Sequence, residues 1–553
     1  MKKKILFPIM AALCSPILAQ SNVENAVVNI ENDYAPVVIE VNKRGFTPTI
    51  DETENTTPLE LVFSYDAQPH KEFASDRDAA SLFPAQERTY PGYARVGYGL
   101  TNDIDTRLAY TLRTSGRGKM NMLASFGGFD TNIDGVFGDW DSRMFKTAVG
   151  AGYRHEFDGL TLDVAATFGN RVFNYQHTGG INVGNTDKQN SRSYRIETKG
   201  VAHLAGPFSY TFDGGITYNR RSYSTATGEG TGEVGASIGG SIAYEINESG
   251  LRNMGVELAY DGFLYNSTLR DAYNGFDNYS SFDVNPFLNF TLGEWKLKVG
   301  TKMNFITGNG ARFAIAPDIM LEGNCAERIG LYAGITGGRA VNSLAALEES
   351  LPYWGFDIKI ARQLKPTYRV ADIKAGVKID LEPVSLDFFA GYAYTKDDVL
   401  EAREYSQRSE RYALIYSNPV QANTHNTFIG SRAGYDHGGW LSVSALARYD
   451  YWNCDNKDLL VMKPMLTIDL NAEMRFFEEF TLRAGYTFEH FTAGEDNKRI
   501  TNKNELYARA SYRILDWLSA YIQGDNLLGS NYYEYAGYLT RGARGSIGAT
   551  FNF

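Results

Sequence analysis

Cysteine is nearly missing: three in 553 residues. That is too few for a disulfide scaffold, and no Cys-x-x-Cys pair exists to hold zinc. Histidine is scarce too. The seven residues are scattered, none sits in a His-Glu-x-x-His frame, and no Gly-x-Ser-x-Gly elbow accompanies them. Hydrolase machinery is therefore not legible, and the chain reads as a non-enzyme. After the first 20 residues there is no run of ~18 apolar residues, which excludes a helical membrane protein. An excess of positive charge is also lacking. With 54 Lys and Arg against 65 Asp and Glu, the net charge is −11, so a nucleic-acid partner is excluded because the phosphate backbone would be repelled. A hydrophobic content of 43 % rules out a disordered chain.

What is plentiful is aromatic and small. The chain has 36 Tyr, 32 Phe, 6 Trp and 55 Gly. It opens with a segment that reads as a secretory leader over 1–19. Lys2, Lys3 and Lys4 precede a short apolar stretch, and Ile17-Leu18-Ala19 gives a cleavage site before Gln20. Cys14 follows the bulky Leu13, a poor match to a lipoprotein signal, so Cys325 and Cys454 remain in the exported chain.

From residue 91 to 553 the pattern repeats. Segments of about 10–16 residues alternate apolar and polar, closed by Gly, Asn, Asp or Pro clusters. Leu466, Ile468, Leu470, Ala472 and Met474 alternate with Thr467, Asp469, Asn471, Glu473 and Arg475. Trp295, Leu297 and Val299 alternate with Lys296, Lys298 and Lys302, and Leu482, Ala484, Tyr486 and Phe488 oppose Arg483, Thr487 and Glu489. Successive strand side chains point to opposite faces. Each segment thus has a greasy face and a charged one, over lengths a soluble sandwich does not reach. The fold class this predicts is all-β: a transmembrane antiparallel barrel, lipid-facing outside and wet inside. Gly97-Tyr98-Gly99 and the glycines of 232–240 lie inside strand patterns and mark bends or close packing, not phosphate loops.

About 22 segments can be counted, with one expected to begin near 143 and another near 424. Even-numbered connections such as 115–117, 157–159, 293–294 and 438–439 are tiny. Odd-numbered ones include 130–142, 177–190, 267–277, 342–366 and 396–424. Short periplasmic turns and long external loops are the rule for bacterial barrels, so the even connections are expected in the periplasm. Cys325 then falls on the periplasmic side and Cys454 outside, and the two are expected to be unpaired. Residues 20–90 differ: Pro36, Pro48, Pro58, Pro69 and Pro84 punctuate them, which reads as an extended periplasmic or lumen-threading segment.

The run Asp525-Asn526-Leu527-Leu528-Gly529-Ser530-Asn531-Tyr532-Tyr533-Glu534-Tyr535-Ala536-Gly537-Tyr538 resembles the final hairpin of TonB-dependent receptors. The glycine-bearing last strand, with Gly542, Arg544, Gly545 and Gly548 before Phe551-Asn552-Phe553, extends that resemblance over the last 60 residues or so. The strand count matches the family's barrel. Gln20 and the run Glu31-Asn32-Asp33-Tyr34-Ala35-Pro36 resemble a Bacteroidota branch of it. The resemblance implies an outer-membrane barrel in contact with lipid that binds or passes a solute. The family's domain-sized plug has no counterpart, since residues 20–90 are too short and too rich in proline. A TonB-box-like stretch, Val27 and Val28 within Ala26-Val27-Val28-Asn29-Ile30, is what remains to contact TonB. The alternative is a non-transporting barrel that anchors a periplasmic or cell-surface protein complex, with 20–90 as the docking arm.

A 22-stranded barrel cannot be filled by its own inward side chains. The closing element is expected to be the N-terminal segment, the loops 342–366 and 396–424, or a partner protein. Two residue sets stand out besides. Asp130, Asn132, Asp134 and Asp141, with Gly135 at the sharp turn, follow most of a calcium-loop spacing. An Asx-rich loop capping its own backbone reads the same way. The inward charges Lys296, Lys298, Lys302, Asp469, Glu473, Arg475, Arg483 and Glu489 suit either a solute path or a hydrated, salt-bridged wall. Tyr353, Trp354, Tyr405 and Tyr416, all expected outside, suit stacking on sugars or packing of loops. No other cofactor is expected.

Overall fold

A computed structural model describes residues 90–553 except 136–137, 179–187, 204–205, 223–229, 249, 272–274, 356–361, 408–412, 478 and 492–501. The leader, the 20–90 segment and its TonB-box-like Val27 and Val28 lie outside the described residues.

The strands are β1 (Gly92–Gly99), β2 (Ile104–Ser115), β3 (Gly118–Gly135), β4 (Gly138–Phe157), β5 (Leu160–Asn174), β6 (Lys188–His203), β7 (Phe208–Ser222) and β8 (Thr231–Glu248). There follow β9 (Leu251–Tyr265), β10 (Tyr279–Leu292), β11 (Trp295–Thr307), β12 (Phe313–Ala326), β13 (Ile329–Ala340), β14 (Thr367–Leu381), β15 (Val384–Gln407) and β16 (Ala413–His437). The last group is β17 (Leu441–Cys454), β18 (Pro464–Arg475), β19 (Phe480–Phe491), β20 (Lys503–Leu515), β21 (Leu518–Asp525), the short hairpin β22 (Tyr533–Tyr535) and β23 (Tyr538–Leu539), and β24 (Arg544–Asn552). Two short helices, α1 (Ser267–Arg270) and α2 (Leu344–Ser350), sit in connections at one end.

Every barrel strand pairs antiparallel with its neighbours in sequence, and the sheet of 22 closes on itself. At the seam β1 pairs with β24 from Tyr93↔Asn552 to Gly99↔Ser546. The terminal Phe553 exchanges backbone hydrogen bonds with Gly92, at 2.6 and 3.0 Å. Closure leaves no edge, so the ladder meets every strand's backbone polar groups from within, as a hydrocarbon surround requires.

Alternation decides which face is outside. Ile216, Ile238, Ile429, Ile522 and Ile547 are each at least 60 % exposed on the outer wall. Charged residues at inward-facing strand positions are buried on the lumenal face, among them Arg95, Arg154, Asp318, Glu473, Arg483 and Arg509. Phe157, Phe208, Trp440, Phe477 and Trp517 crowd the rim with the tiny turns, an interfacial aromatic girdle. Those turns need left-handed backbone, which glycine supplies at Gly159 (φ 84°) and Gly293 (φ 66°).

Two segment boundaries differ from expectation. The strand expected near 143 starts at Gly138, so 130–142 is largely the β3–β4 hairpin. The strand expected near 424 starts at Ala413. Most of the supposed loop 396–424 is therefore an extension of β15 and β16, paired out to Gln407↔Ala413. Cys325 and Cys454 are both free, at opposite ends of the barrel.

Candidate functional site

The apolar core of this protein lies inside the barrel mouth at the end with the long connections. A single buried cluster joins Phe129 and Trp140 of the β3–β4 hairpin, Phe173 of β5, Phe263 of β9 and Tyr279 of β10 to Leu344, Leu347 and Leu351 around α2. Tyr353, Trp354, Tyr416, Tyr535 and Tyr538 complete it. Counting around the 22 strands, β5 and β16 lie on opposite walls, yet their outer ends meet. His177 bridges Leu414, and Ile415 N–H donates to the Gln176 carbonyl at 2.9 Å. The external loops have folded inward into a cap.

The segment from Ser343 to Gly355 is the centre of that cap. Ser343 caps α2, its hydroxyl accepting from Ala346 N–H at 3.1 Å. Leu344, Leu347 and Leu351 recur at helical spacing and face the cluster. Wall carboxylate Glu233 of β8 accepts from the backbone of Leu344 at 2.6 Å and of Ala345 at 3.2 Å, meeting two orphan helix donors. One turn on, Glu348 pairs with Arg221 of β7 at 2.6 Å, and the arginine is wholly buried. Arg221 also donates to the Tyr175 hydroxyl at 2.6 Å and the Pro352 carbonyl at 2.7 Å, while Trp354 Nε1 donates to Glu348 at 3.0 Å. Removing one partner from a buried, hydrogen-bonded pair costs several times what an exposed pair is worth. These contacts therefore fasten the cap to the wall.

The second arm of the cap is the β22–β23 hairpin. Tyr538 stacks on Tyr353 with ring centroids 3.8 Å apart and donates to the Ile415 carbonyl at 2.6 Å. The Tyr532 hydroxyl donates to Glu505 at 3.1 Å. Burial pushes the phenols of Tyr353, Tyr535 and Tyr538 up, so they stay neutral donors. Glu534, held inside the mouth, is raised to about 7, first by burial and next by the Glu505 carboxylate.

Below the cap the wall carries the charges expected there. Lys298 pairs with Asp318 at 2.8 Å, Lys302 reaches the same carboxylate at 3.9 Å, and Lys296 meets Glu322 at 3.8 Å. Glu473 joins Arg475 at 3.2 Å and Arg483 at 3.4 Å. Glu489 pairs with Lys503 at 3.5 Å, and Asp469 accepts from Thr487 at 3.2 Å. These residues form two charge-paired patches, on β11–β12 and on β18–β20, separated by an aromatic stretch. There Tyr332, Phe389 and Phe428 pack together, Lys374 lies 4.4 Å over the Phe389 ring and Arg448 4.2 Å over Phe428.

The calcium-spaced residues lie on the β3–β4 hairpin. Asp130 pairs with Arg143 at 2.6 Å, and Asn132 donates to its cross-strand partner Asp141 at 3.2 Å. The Asp134 side chain lies outside the described residues. Among those described, no group of three His, Cys, Asp or Glu side chains is gathered for a metal. Tyr353, Trp354 and Tyr416 are loop-packing residues, each 2 % exposed or less; the Tyr405 side chain lies outside the described residues. Sequence reasoning missed Arg221, Glu233 and Glu348. The available signal was the leucine spacing after a capping serine within 342–366.

No protein-family model matches the sequence, and no curated protein matches it. Solved structures do. A ferric enterobactin receptor from Pseudomonas aeruginosa, bound to enterobactin, superposes with a TM-score of 0.63 at 11 % identity, over 85 % of this chain and 82 % of the other. The FrpB iron transporter from Neisseria meningitidis gives 0.64 at 10 % identity, over 84 % and 82 %. The copper transporter OprC gives 0.60 at 12 %, over 85 % and 82 %. What these likenesses establish is the fold: this chain is built on the same closed 22-stranded barrel as known receptor and transporter chains.

Proposed function

We propose that this protein is an exported outer-membrane barrel, related in design to TonB-dependent receptors of the Bacteroidota type, that binds or passes a solute. In this reading its own external loops close the lumen in place of a separate plug domain. It carries out no catalysis. The observation that supports the reading is the contrast across the mouth. A wall lined by paired charges runs beneath an apolar cap, and the cap is docked on that wall by side-chain contacts, chiefly Arg221 with Glu348 and Glu233 with the start of α2. A hydrated wall suits polar cargo. A stopper held by a few buried polar contacts suits something that opens. The solved neighbours handle ferric enterobactin, iron and copper, and one was captured with pyocin S2. Small solutes and a protein partner at the outer face are both within this design, and TonB is the candidate periplasmic partner.

Conductance in planar bilayers tests it. The full-length chain is expected to be silent or to open briefly, and a variant with residues 343–365 replaced by a short Gly-Ser linker is expected to give large, steady steps. Silence from the variant would mean that the α2 segment does not seal the lumen. The scaffolding alternative, in which a partner seals the lumen and 20–90 is the docking arm, would then take its place.

A further inference from the structure

The outer wall of β5, β6 and β7 carries two rows of side chains in register, and neither the cap nor the lumen uses them. In the first row Phe168, Tyr194 and Tyr218 are cross-strand partners, with successive ring centroids 5.1 and 6.1 Å apart. Two residues nearer the end with the long connections, Asn170, Arg192 and Arg220 are partners in the same way. Arg192 and Arg220 are exposed and stand directly opposite each other, a placement in which like charges repel. No carboxylate shares their level on this face among the described residues. The outward positions of β8 from Gly232 to Tyr244 are uncharged. Lys188, Arg143, Asp130 and Asp141 gather around Asn174, four residues farther out than Asn170. Asp187 and Glu229, in the adjoining connections, lie outside the described residues. On the other side of the aromatic row the wall is hollowed. A groove of about 820 Å³ spans β2 to β7, floored by Ala124, Ala151 and Ala166 and bounded by Phe168, Tyr194 and Tyr218. Arg195 at its edge pairs with Glu197 at 3.2 Å on the lumenal face.

We propose that the groove and the arginine pair form one site for a membrane lipid with an anionic phosphate headgroup. An acyl chain lies in the groove, and the phosphate sits between Arg192 and Arg220. The groove opens on the face that meets hydrocarbon, so its occupant is apolar and comes from the bilayer. The arginines stand at the rim of that face, where headgroups lie, and attract anionic ones. An arginine fork matches two oxygens of a phosphate, and a phosphate placed between the two guanidiniums relieves their repulsion. The Asn170 amide, in the same row, adds a donor. The aromatic row between groove and cations meets the level where chain and headgroup join, as aromatic rings do at a membrane interface. The site rests on the reading of this wall as membrane-facing and not on transport: a barrel that passes nothing would still hold the lipid.

Native mass spectrometry of the full-length barrel in a neutral detergent, titrated with phosphatidic acid, tests it; phosphatidylcholine with the same chains and inorganic phosphate are the comparison probes. Saturable retention of phosphatidic acid is the expected result, weakened about 10- to 100-fold when Arg192→Gln and Arg220→Gln are combined. Ala151→Trp, which fills the groove and leaves both arginines, is expected to weaken it as well. Heat-modifiable mobility on a gel reports whether the variants fold. If the double glutamine variant does not, Arg192→Lys with Arg220→Lys, which keeps the charges and loses the forks, is expected to bind about tenfold more weakly. Equal retention of both lipids, or retention that none of these substitutions alters, overturns the site. Competition by inorganic phosphate at matched concentration overturns it too, since the chain would then contribute nothing. So does a dimer peak that Ala151→Trp abolishes, which would give the groove to a second copy of the chain. Flotation with phosphatidylcholine vesicles checks the wall separately: a chain that does not float overturns the membrane reading and the site together, and one that floats without preferring phosphatidic acid overturns the site alone.

Discussion

At the scale of single residues, Arg221 shows how a wall side chain is recruited to hold a loop. Its guanidinium lies 5.0 Å from the centre of the Phe173 ring and 5.4 Å from that of Trp354, and its two Nη nitrogens donate to Glu348, Tyr175 and Pro352. Arg221→Ala would leave Glu348 buried beside an apolar cluster with, among the described residues, the Trp354 indole to meet it. Breaking such a pair costs about 3–5 kcal/mol, charged here against docking of the cap and not against the barrel, whose ladder is untouched. The variant is expected to keep its heat-modifiable gel shift while protease added from outside cuts within 343–365. Protection equal to wild type would mean that Leu344, Leu347 and Trp354 hold the segment without the ion pair. None of this was legible in the sequence, because an arginine in an alternating strand looks the same whether it meets water, a neighbouring carboxylate or a loop. The wall charges from Lys296 to Glu489 were legible as inward-facing for the opposite reason: alternation alone sets their direction.

At the scale of elements, legibility stopped where the lipid stops. Within the membrane one strand face must be apolar, so the pattern of β18 or β11 gives both the strand and its orientation. Beyond the rim that constraint vanishes. Ala413 to Asn418 are buried without a break, because both faces of the extended β16 pack on protein, and an unbroken buried run reads as a loop. The β3–β4 hairpin was obscured differently. Its Asx-rich sequence follows a cation-loop spacing, while cross-strand pairing sets Asp130 against Arg143 and Asn132 against Asp141. A calcium ion would have to take Asp130 from a 2.6 Å ion pair and bend a paired ladder. The expected outcome is that wild type and Asp134→Ala melt at temperatures that calcium does not change. A calcium-dependent rise in wild type that Asp134→Ala abolishes would establish the metal site.

At the scale of the whole molecule, the question is what moves the cap, and the β22–β23 hairpin carries a titratable answer. Docked in the mouth, Glu534 faces Glu505, Arg541, Arg544 and Lys503, and burial with the Glu505 charge raises it to about 7 from an ordinary 4.5. Released into water, it returns to the ordinary value. Between these two values the docked hairpin holds a proton that the released one does not, so docking is favoured at low pH and weakens as pH rises through about 7. Moving from pH 5 to pH 8 should shift the docking equilibrium toward release by roughly tenfold or more. Glu534→Gln, neutral throughout, should remove that dependence and hold the cap closed. Single-channel recording of the full-length barrel reads this directly, as a frequency of openings that climbs with pH in wild type and stays flat in the variant. A climb that persists in Glu534→Gln would transfer the control to another group in the mouth. A flat wild type would mean that the hairpin does not leave the mouth on its own, and that opening waits for a ligand or a partner to pull it.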